Sequence, residues 1–169
     1  MLCLSLLTLT CRKSSPVEPA EPPPKDPRTY TWTVDTLSHP GSYQTEMLDI
    51  WGSSSTDVYT VGHNDQNSGL IWHFNGSGWS DIKLSTSQGG SIPGRIDLRA
   101  IQGFSSNDIW AVGMRIHQVS FSPPEKFLDS SLILHFDGVN WNEVRLPFSA
   151  DMLWCIWGQS SSDLWMGGF

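Results

Sequence analysis

The stretch IWGSSSTDVYTVG, residues Ile50–Gly62, occurs three times along the chain in imperfect copies. The second copy, IQGFSSNDIWAVG, spans Ile101–Gly113, and the third, IWGQSSSDLWMGG, spans Ile156–Gly168. A spacing of about fifty residues is typical of repeat architectures, in which one small unit is stacked several times. The sequence therefore predicts a repeated unit.

A glycine and an aspartate recur at a fixed interval in every copy, with serines between them. Gly, Ser and Asp favour tight turns, because short polar side chains hydrogen-bond the nearby backbone. We interpret this segment as a turn between two strands. A repeated calcium ligand is the alternative, but it lacks the clustered carboxylates that calcium requires. The recurring positions are Gly52, Asp57, Gly103, Asp108, Gly158 and Asp163.

The second half of the unit is present in two copies, LIWHFNGSGWSDIKL (Leu70–Leu84) and LILHFDGVNWNEVRL (Leu132–Leu146). Each contains a dipeptide that favours a type I′ hairpin turn, because Asn, Asp and Gly tolerate positive φ. The flanking residues are aromatic and β-branched, as in strands. The sequence therefore predicts a second hairpin in each unit, with turns at Asn75, Gly76, Asp137 and Gly138.

Each unit is expected to form four antiparallel strands, which is the plan of a β-propeller blade. The chain is predicted to be an all-β partial propeller, with blades at 47–84 and 98–147 and an incomplete blade at 152–169. Because propellers have about four to eight blades, we expect a fragment of a longer ring. The predicted strands of the first blade are Met47–Trp51, Val58–Gly62, Leu70–Phe74 and Trp79–Leu84.

Nine tryptophans are unusual for 169 residues. Those at repeat positions are predicted to pack between neighbouring blades; stacking against a bound sugar is the alternative. These tryptophans are Trp51, Trp72, Trp79, Trp110, Trp141, Trp157 and Trp165.

The segment YTWTVDTL, residues 30–37, resembles a fourth strand. Trp32 precedes Leu37 by the interval that separates Trp79 from Leu84. Propellers often close their ring with an N-terminal strand added to the last blade. We therefore expect residues 30–37 to be such a ring-closing strand, with partners beyond residue 169.

The N-terminus begins with an apolar run, MLCLSLLTLT, followed by Cys11 and a Pro-rich segment at 12–29. This order resembles the start of a bacterial lipoprotein, in which the cysteine becomes lipidated and a stiff spacer follows. Thr10 and the lack of a preceding Lys or Arg depart from that pattern. The alternative is an ordinary secretory signal at 1–11. The protein is thus expected to be exported, either lipid-anchored at the outer membrane or cell surface, or secreted.

Charge and cysteine content exclude several classes of function. A net charge of −7 without a basic cluster argues against nucleic-acid binding. No apolar run is long enough to span a bilayer, so membrane contact is expected only through lipid on Cys11. With Cys3 removed and Cys155 isolated, no disulfide framework is predicted.

Both halves of the repeat, I-x-G-x-S-S-x-D and H-F-[ND]-G-x-x-W, resemble repeats of bacterial secreted and lipid-anchored propellers. The resemblance covers residues 30–169 and implies a propeller in the cell envelope. It is not the WD-repeat pattern, because no Trp-Asp dipeptide ends a strand.

Two variable segments, Ser85–Asp97 and Met114–Ser131, fall on one side of the predicted blades. Insertions collected on one face often mark a binding surface. We interpret them as binding loops for a protein or glycan; loops that merely tolerate insertion are the alternative. The candidate binding residues are Arg95, Arg115, His117, Phe121, Glu125, Lys126 and Phe127.

No catalytic, cofactor-binding or metal-binding residue is predicted. His73 and His135 occupy repeat positions and are interpreted as packing residues, while His63 and His117 lack metal-site spacing. The expected function is a non-catalytic binding module of the bacterial envelope. The alternatives are a propeller enzyme acting on carbohydrate and a structural component of an envelope or secretion assembly. We also expect the isolated chain to self-associate, because a fragment leaves strand edges exposed.

Overall fold

A computed structural model describes residues 26–66, 68–147 and 152–169 of the 169-residue chain. Ten antiparallel strands form two four-stranded sheets and one two-stranded hairpin, each in sequential order. The all-β class and the four-stranded antiparallel unit are therefore confirmed. The three sheets do not close a ring, so the complete propeller stays a prediction.

The first sheet, β1–β4, contains residues Thr45–Ser54, Asp57–Asn64, Leu70–Phe74 and Trp79–Ile82. The second sheet, β5–β8, contains residues Arg95–Ser105, Asp108–Ser120, Lys126–Phe136 and Trp141–Glu143. The hairpin consists of β9, Leu153–Ser160, and β10, Asp163–Gly168. A short 3-10 helix, Thr86–Gln88, lies between the two large sheets in the sequence.

The predicted N-terminal features are only partly within the described residues. The apolar segment 1–11, with Cys11, lies outside them, as does most of the linker 12–29. Within the described part, Pro27–Thr29 forms a 3-10 turn. Residues 30–37 form neither helix nor strand, so the ring-closing strand stays a prediction. None of the described helices is long and apolar enough to cross a membrane.

The repeated glycine does not lie in the turn, contrary to the sequence-based prediction. β1 continues through Gly52 to Ser54, and only Ser55 and Thr56 form the turn. In the second sheet, a Cβ atom added to Gly103 would lie 2.5 Å from the Trp51 ring. The glycine is therefore a strand residue whose missing side chain makes room for a tryptophan of the neighbouring sheet.

The repeated aspartate also has a different role from the one predicted, because its side chain bonds other side chains. Asp57 Oδ1 accepts a hydrogen bond from His73 Nε2 at 2.7 Å, and Asp108 Oδ1 accepts one from His135 Nε2 at 2.9 Å. The His73 ring stacks on Tyr59 with centroids 4.2 Å apart. These contacts join the second and third strands of each four-stranded sheet, so the two histidines pack within the sheets, as expected.

The outer hairpins are longer than a two-residue type I′ turn. Phe74 pairs with Trp79, which leaves a four-residue loop. In that loop Asn75 Oδ1 accepts hydrogen bonds from the backbone of Ser77 and Gly78, and Gly76 has a φ of 88°. The loop beginning at Asp137 is built in the same way. The predicted residues therefore do form the turns. These are Asx-turns, in which the side-chain oxygen of Asn75 or Asp137 accepts hydrogen bonds from the backbone N–H groups that follow.

The three sheets stack face to face through equivalent residues. The first sheet packs on the second through one of its two faces, which we call the front face. The face of the second sheet that it contacts is called the back face. The front face carries Tyr59, Val61, Ile71 and Leu84, and the back face carries Leu98, Ile101 and Ala111. The next interface uses the equivalent positions of the second sheet and hairpin: Trp110, Val112, Ile133 and Leu146 against Leu153, Ile156 and Met166.

Polar contacts fix the stacking. Asp49 Oδ2 on β1 accepts a hydrogen bond of 2.9 Å from the backbone N–H of Ile101 on β5. Burial acts to raise the pKa of Asp108, but hydrogen bonds from His135, Ser161 and Trp110 lower it overall. Ser161 belongs to the turn of the hairpin, so this carboxylate joins the second sheet to the third.

Candidate functional site

The longest variable segment, Met114–Ser131, forms an extended β-hairpin instead of the predicted loop. β6 continues to Ser120 and β7 begins at Lys126, and their pairing extends from His117↔Leu128 to Ser120↔Lys126. We call residues 114–131 the arm. It forms because strand pairing satisfies the backbone groups that a long loop would leave to solvent.

The seven predicted binding residues lie on or beside the arm, but only Phe121 and Glu125 are outside strands. Arg95 lies at the start of β5, where its guanidinium is 5.8 Å from the centre of the Phe127 ring. His117 Nε2 is 3.1 Å from Ser130 Oγ on the opposite strand. The structure therefore brings these residues together on one hairpin and the adjacent β5.

Arg115 anchors the arm. Its guanidinium donates two hydrogen bonds, of 3.0 and 2.8 Å, to the carboxylate of Glu143 on β8. The hydrogen bonds from Arg115 lower the pKa of Glu143, against the opposing effect of burial. Because both side chains are mostly buried, Arg115 holds the base of the arm and is poorly placed to contact a ligand.

The arm carries four exposed apolar side chains. Phe121 is 80% exposed and Leu128 is 61% exposed, and Val119 and Phe127 are also exposed. Phe121 and Phe127 are among the predicted binding residues, whereas Val119 and Leu128 are not, because the segment was interpreted as a loop. Strand alternation on either side of residues 121–125 was the signal that could have identified them.

The arm also has an open strand edge. β8 pairs only with residues 134–136 of β7, so among the described residues no strand pairs with the outer edge of residues 126–131. An unpaired edge offers backbone N–H and C=O groups to an extended segment of another protein. Exposed apolar side chains and a free edge together make a surface suited to strand addition.

A second polar cluster, which the sequence did not indicate, lies where the first two sheets meet. His63 Nδ1 is 3.1 Å from Asp97 Oδ1 and His63 Nε2 is 3.8 Å from Glu46 Oε2. Arg99 donates a hydrogen bond of 2.6 Å to Asp97 and lies over the Trp154 ring at 4.5 Å. Burial raises the pKa of Asp97, although His63 and Arg99 act in the opposite direction.

This cluster depends on a β-bulge that recurs in all three sheets. The bulged residues, skipped in the strand pairing, are Leu48, Arg99 and Trp154. A bulge re-aims one side chain relative to its neighbours, which lets Arg99 reach both Asp97 and Trp154. Arg99 is paired with Asp97 within the protein and His63 links β2 to Asp97 on β5, so the cluster serves first to join the sheets.

Within the described residues, no group of three or more His, Cys, Asp or Glu side chains is placed to hold a metal ion. Comparison with family models, curated proteins and solved structures gave no match.

Proposed function

We propose that the protein is an exported, lipid-anchored β-propeller of the bacterial cell envelope that binds a protein partner through the arm, without catalysis. The observation that carries this proposal is the arm itself, which combines exposed Phe121 and Leu128 with an open edge at residues 126–131. Repeated stacking of equivalent sheet faces supports the propeller. Cys11 is the proposed site of lipid attachment.

A protein partner fits the arm better than a glycan does. Apolar side chains and a free backbone edge match an extended peptide, whose alternate side chains contact the strand surface while its backbone continues the sheet. Arg115 is already occupied by Glu143, and Arg95 lies over Phe127. The charged groups near the base of the arm are thus engaged within the protein.

A photo-cross-linking amino acid placed at residue 121 of the full chain, expressed in bacteria, tests the proposal. We expect a discrete adduct that protease treatment removes and glycosidase treatment does not. The same probe at Val139, which is 80% exposed in the loop between β7 and β8, is the control and should give no such adduct. A Leu128→Ser substitution should reduce the adduct at residue 121 severalfold.

Equal labelling from residues 121 and 139 would contradict a binding role for the arm. An adduct that glycosidase removes and protease does not would indicate that the partner is a glycan and not a protein. Lipid attachment is tested separately, by incorporation of labelled fatty acid into the wild-type chain and its loss in a Cys11→Ser variant.

A further inference from the structure

A polar cavity of about 440 Å³ lies on the first sheet, and none of the residues that line it belongs to the arm. Its walls come from four segments: the turn before β1, the β2–β3 loop, the residue after β4, and the 3-10 helix Thr86–Gln88. This volume is within the range of about 300–1,000 Å³ that is usual for small-molecule sites. The lining residues are His39, Pro40, Gln66, Ser68, Lys83, Ser87 and Gln88.

The second sheet explains why the first sheet has this cavity. By position in the repeat, Arg115 and Glu143 of the second sheet correspond to Asn64 and Asp81 of the first. The guanidinium of Arg115 donates two hydrogen bonds to Glu143. The shorter Asn64 is used differently, because its Oδ1 accepts hydrogen bonds of 3.0 Å from two backbone N–H groups of the β2–β3 loop. The side chain at this position therefore closes a loop in the first sheet and does not pair with the carboxylate.

Two basic side chains line the cavity, and one carboxylate lies beside both. His39 Nε2 is 3.9 Å from Asp81 Oδ2, and Lys83 donates a hydrogen bond to the same oxygen. The side chains of His39 and Asp81 are only 12% and 11% exposed. A cationic ligand would therefore meet two basic groups beside a carboxylate that is already paired, which is unfavourable because like charges repel.

Two oxygen atoms at or beside the cavity lack a hydrogen-bond donor. Gln88 Nε2 is 3.3 Å from His39 Nε2, whereas the buried Gln88 Oε1 has no hydrogen-bond partner among the described residues. The same is true of Asp81 Oδ1. A buried acceptor that is left unpaired is costly, and an anion would add further acceptors. The cavity therefore favours a ligand that supplies hydrogen-bond donors without a charge.

We infer that the cavity binds a neutral sugar unit of a glycan. Sugar hydroxyls donate and accept hydrogen bonds, so they can donate to Gln88 Oε1 and accept from Lys83. Ser68 and Ser87 add two hydroxyl groups to the walls, and the ring of Pro40 offers an apolar surface to the C–H groups of a sugar. This site goes beyond the proposed function, because its ligand is a glycan and its residues lie outside the arm.

NMR titration of the full chain with named sugars tests the inference. The probes are methyl α-glucoside, methyl β-galactoside and N-acetylglucosamine, and the signals are the side-chain amide of Gln88 and the imidazole of His39. We expect at least one of these sugars to shift both signals saturably. Methylguanidinium and inorganic phosphate, which carry the two excluded kinds of charge, should leave both signals in place.

Two pairs of variants show whether binding takes place in the cavity. Ser87→Trp fills the cavity from an exposed position, and Gln88→Ala removes the unpaired acceptor. Each should weaken sugar binding at least tenfold. Ser77→Trp in an outer turn and Gln118→Ala in the arm make the same changes elsewhere and should bind as the wild type does. Circular dichroism and thermal melting should show that all four variants remain folded.

Three outcomes would overturn the inference. The first is the absence of a saturable shift with any of the three sugars. The second is sugar binding that persists unchanged in both Ser87→Trp and Gln88→Ala. The third is a shift with methylguanidinium or phosphate but not with a sugar, which would assign a charged ligand to the cavity. Each outcome leaves the role of the arm intact, because neither substitution lies in residues 114–131.

Discussion

The first and second sheets are built from the same repeat, yet their equivalent residues have very different surroundings. Ile101 in the second sheet is 4% exposed, while Ile50 at the same position of the first sheet is 63% exposed. Among the described residues, the second sheet has a neighbouring sheet on both faces, whereas the first has one on its front face only. Whether a repeat position is buried thus depends on whether a neighbouring sheet packs against it.

The largest expected effect comes from truncating this isoleucine in the two sheets. Ile101→Ala should lower the free energy of unfolding by about 2–4 kcal/mol, because it leaves a cavity in a packed core. Ile50→Ala should change it by no more than about 0.5 kcal/mol, since little apolar surface is buried there. Urea denaturation measures both, at a protein concentration at which sedimentation velocity shows a monomer. Equal losses would show that stacking does not distinguish the two positions.

The repeated glycine gives a smaller contrast. Gly103→Ala places a methyl group 2.5 Å from the Trp51 ring and should cost about 1–3 kcal/mol through overpacking. Gly52→Ala brings its methyl no closer than 3.1 Å to Val58 and should cost at most about 1 kcal/mol. Tryptophan fluorescence should shift only in the Gly103 variant. A larger loss of stability in Gly52→Ala than in Gly103→Ala would contradict the conclusion that Gly103 makes room for Trp51.

The smallest effect concerns the arm, which the second sheet has and the first lacks. Glu143→Gln should lower stability near pH 7 by about 0.5–1 kcal/mol, because it weakens the pair with Arg115. The pKa of Glu143 lies below its ordinary value of 4.5. Its stabilising contribution is therefore present above about pH 4.5 and is lost as the pH falls through the lowered pKa.

The measurement is the free energy of unfolding of both proteins between neutral pH and pH 3. The two curves should converge on acidification. Glu125→Gln, at the exposed tip of the arm, is the matched control and should follow the wild type throughout. A constant gap between wild type and Glu143→Gln down to the lowest pH would contradict the ion pair.

The strands themselves were largely predictable from the sequence. Alternation of apolar residues and the turn residues Asn75 and Asp137 are local signals, and β3 begins and ends where predicted. β4 ends at Ile82, two residues before the predicted Leu84, because no partner strand extends that far. The fold class could therefore be predicted without knowing any contact between distant parts of the chain.

The arm differs most from its sequence-based prediction. Residues 114–131 were interpreted as a variable loop because they interrupt the repeat, yet residues 114–120 and 126–131 pair as strands. Arg115 was selected as a binding residue, but its partner Glu143 lies twenty-eight residues away. Local composition carries no information on which distant carboxylate a side chain meets.

The sequence by itself determined the repeat, the antiparallel strands and the residues that form the outer turns, because these depend on backbone preferences within a few neighbours. Only the tertiary structure decided that Gly103 makes room for Trp51, that Asp97 joins His63 to Arg99, and which equivalent isoleucine is buried. Those outcomes depend on how two sheets are oriented against each other. Residues about fifty positions apart then meet through packing, which no local pattern encodes.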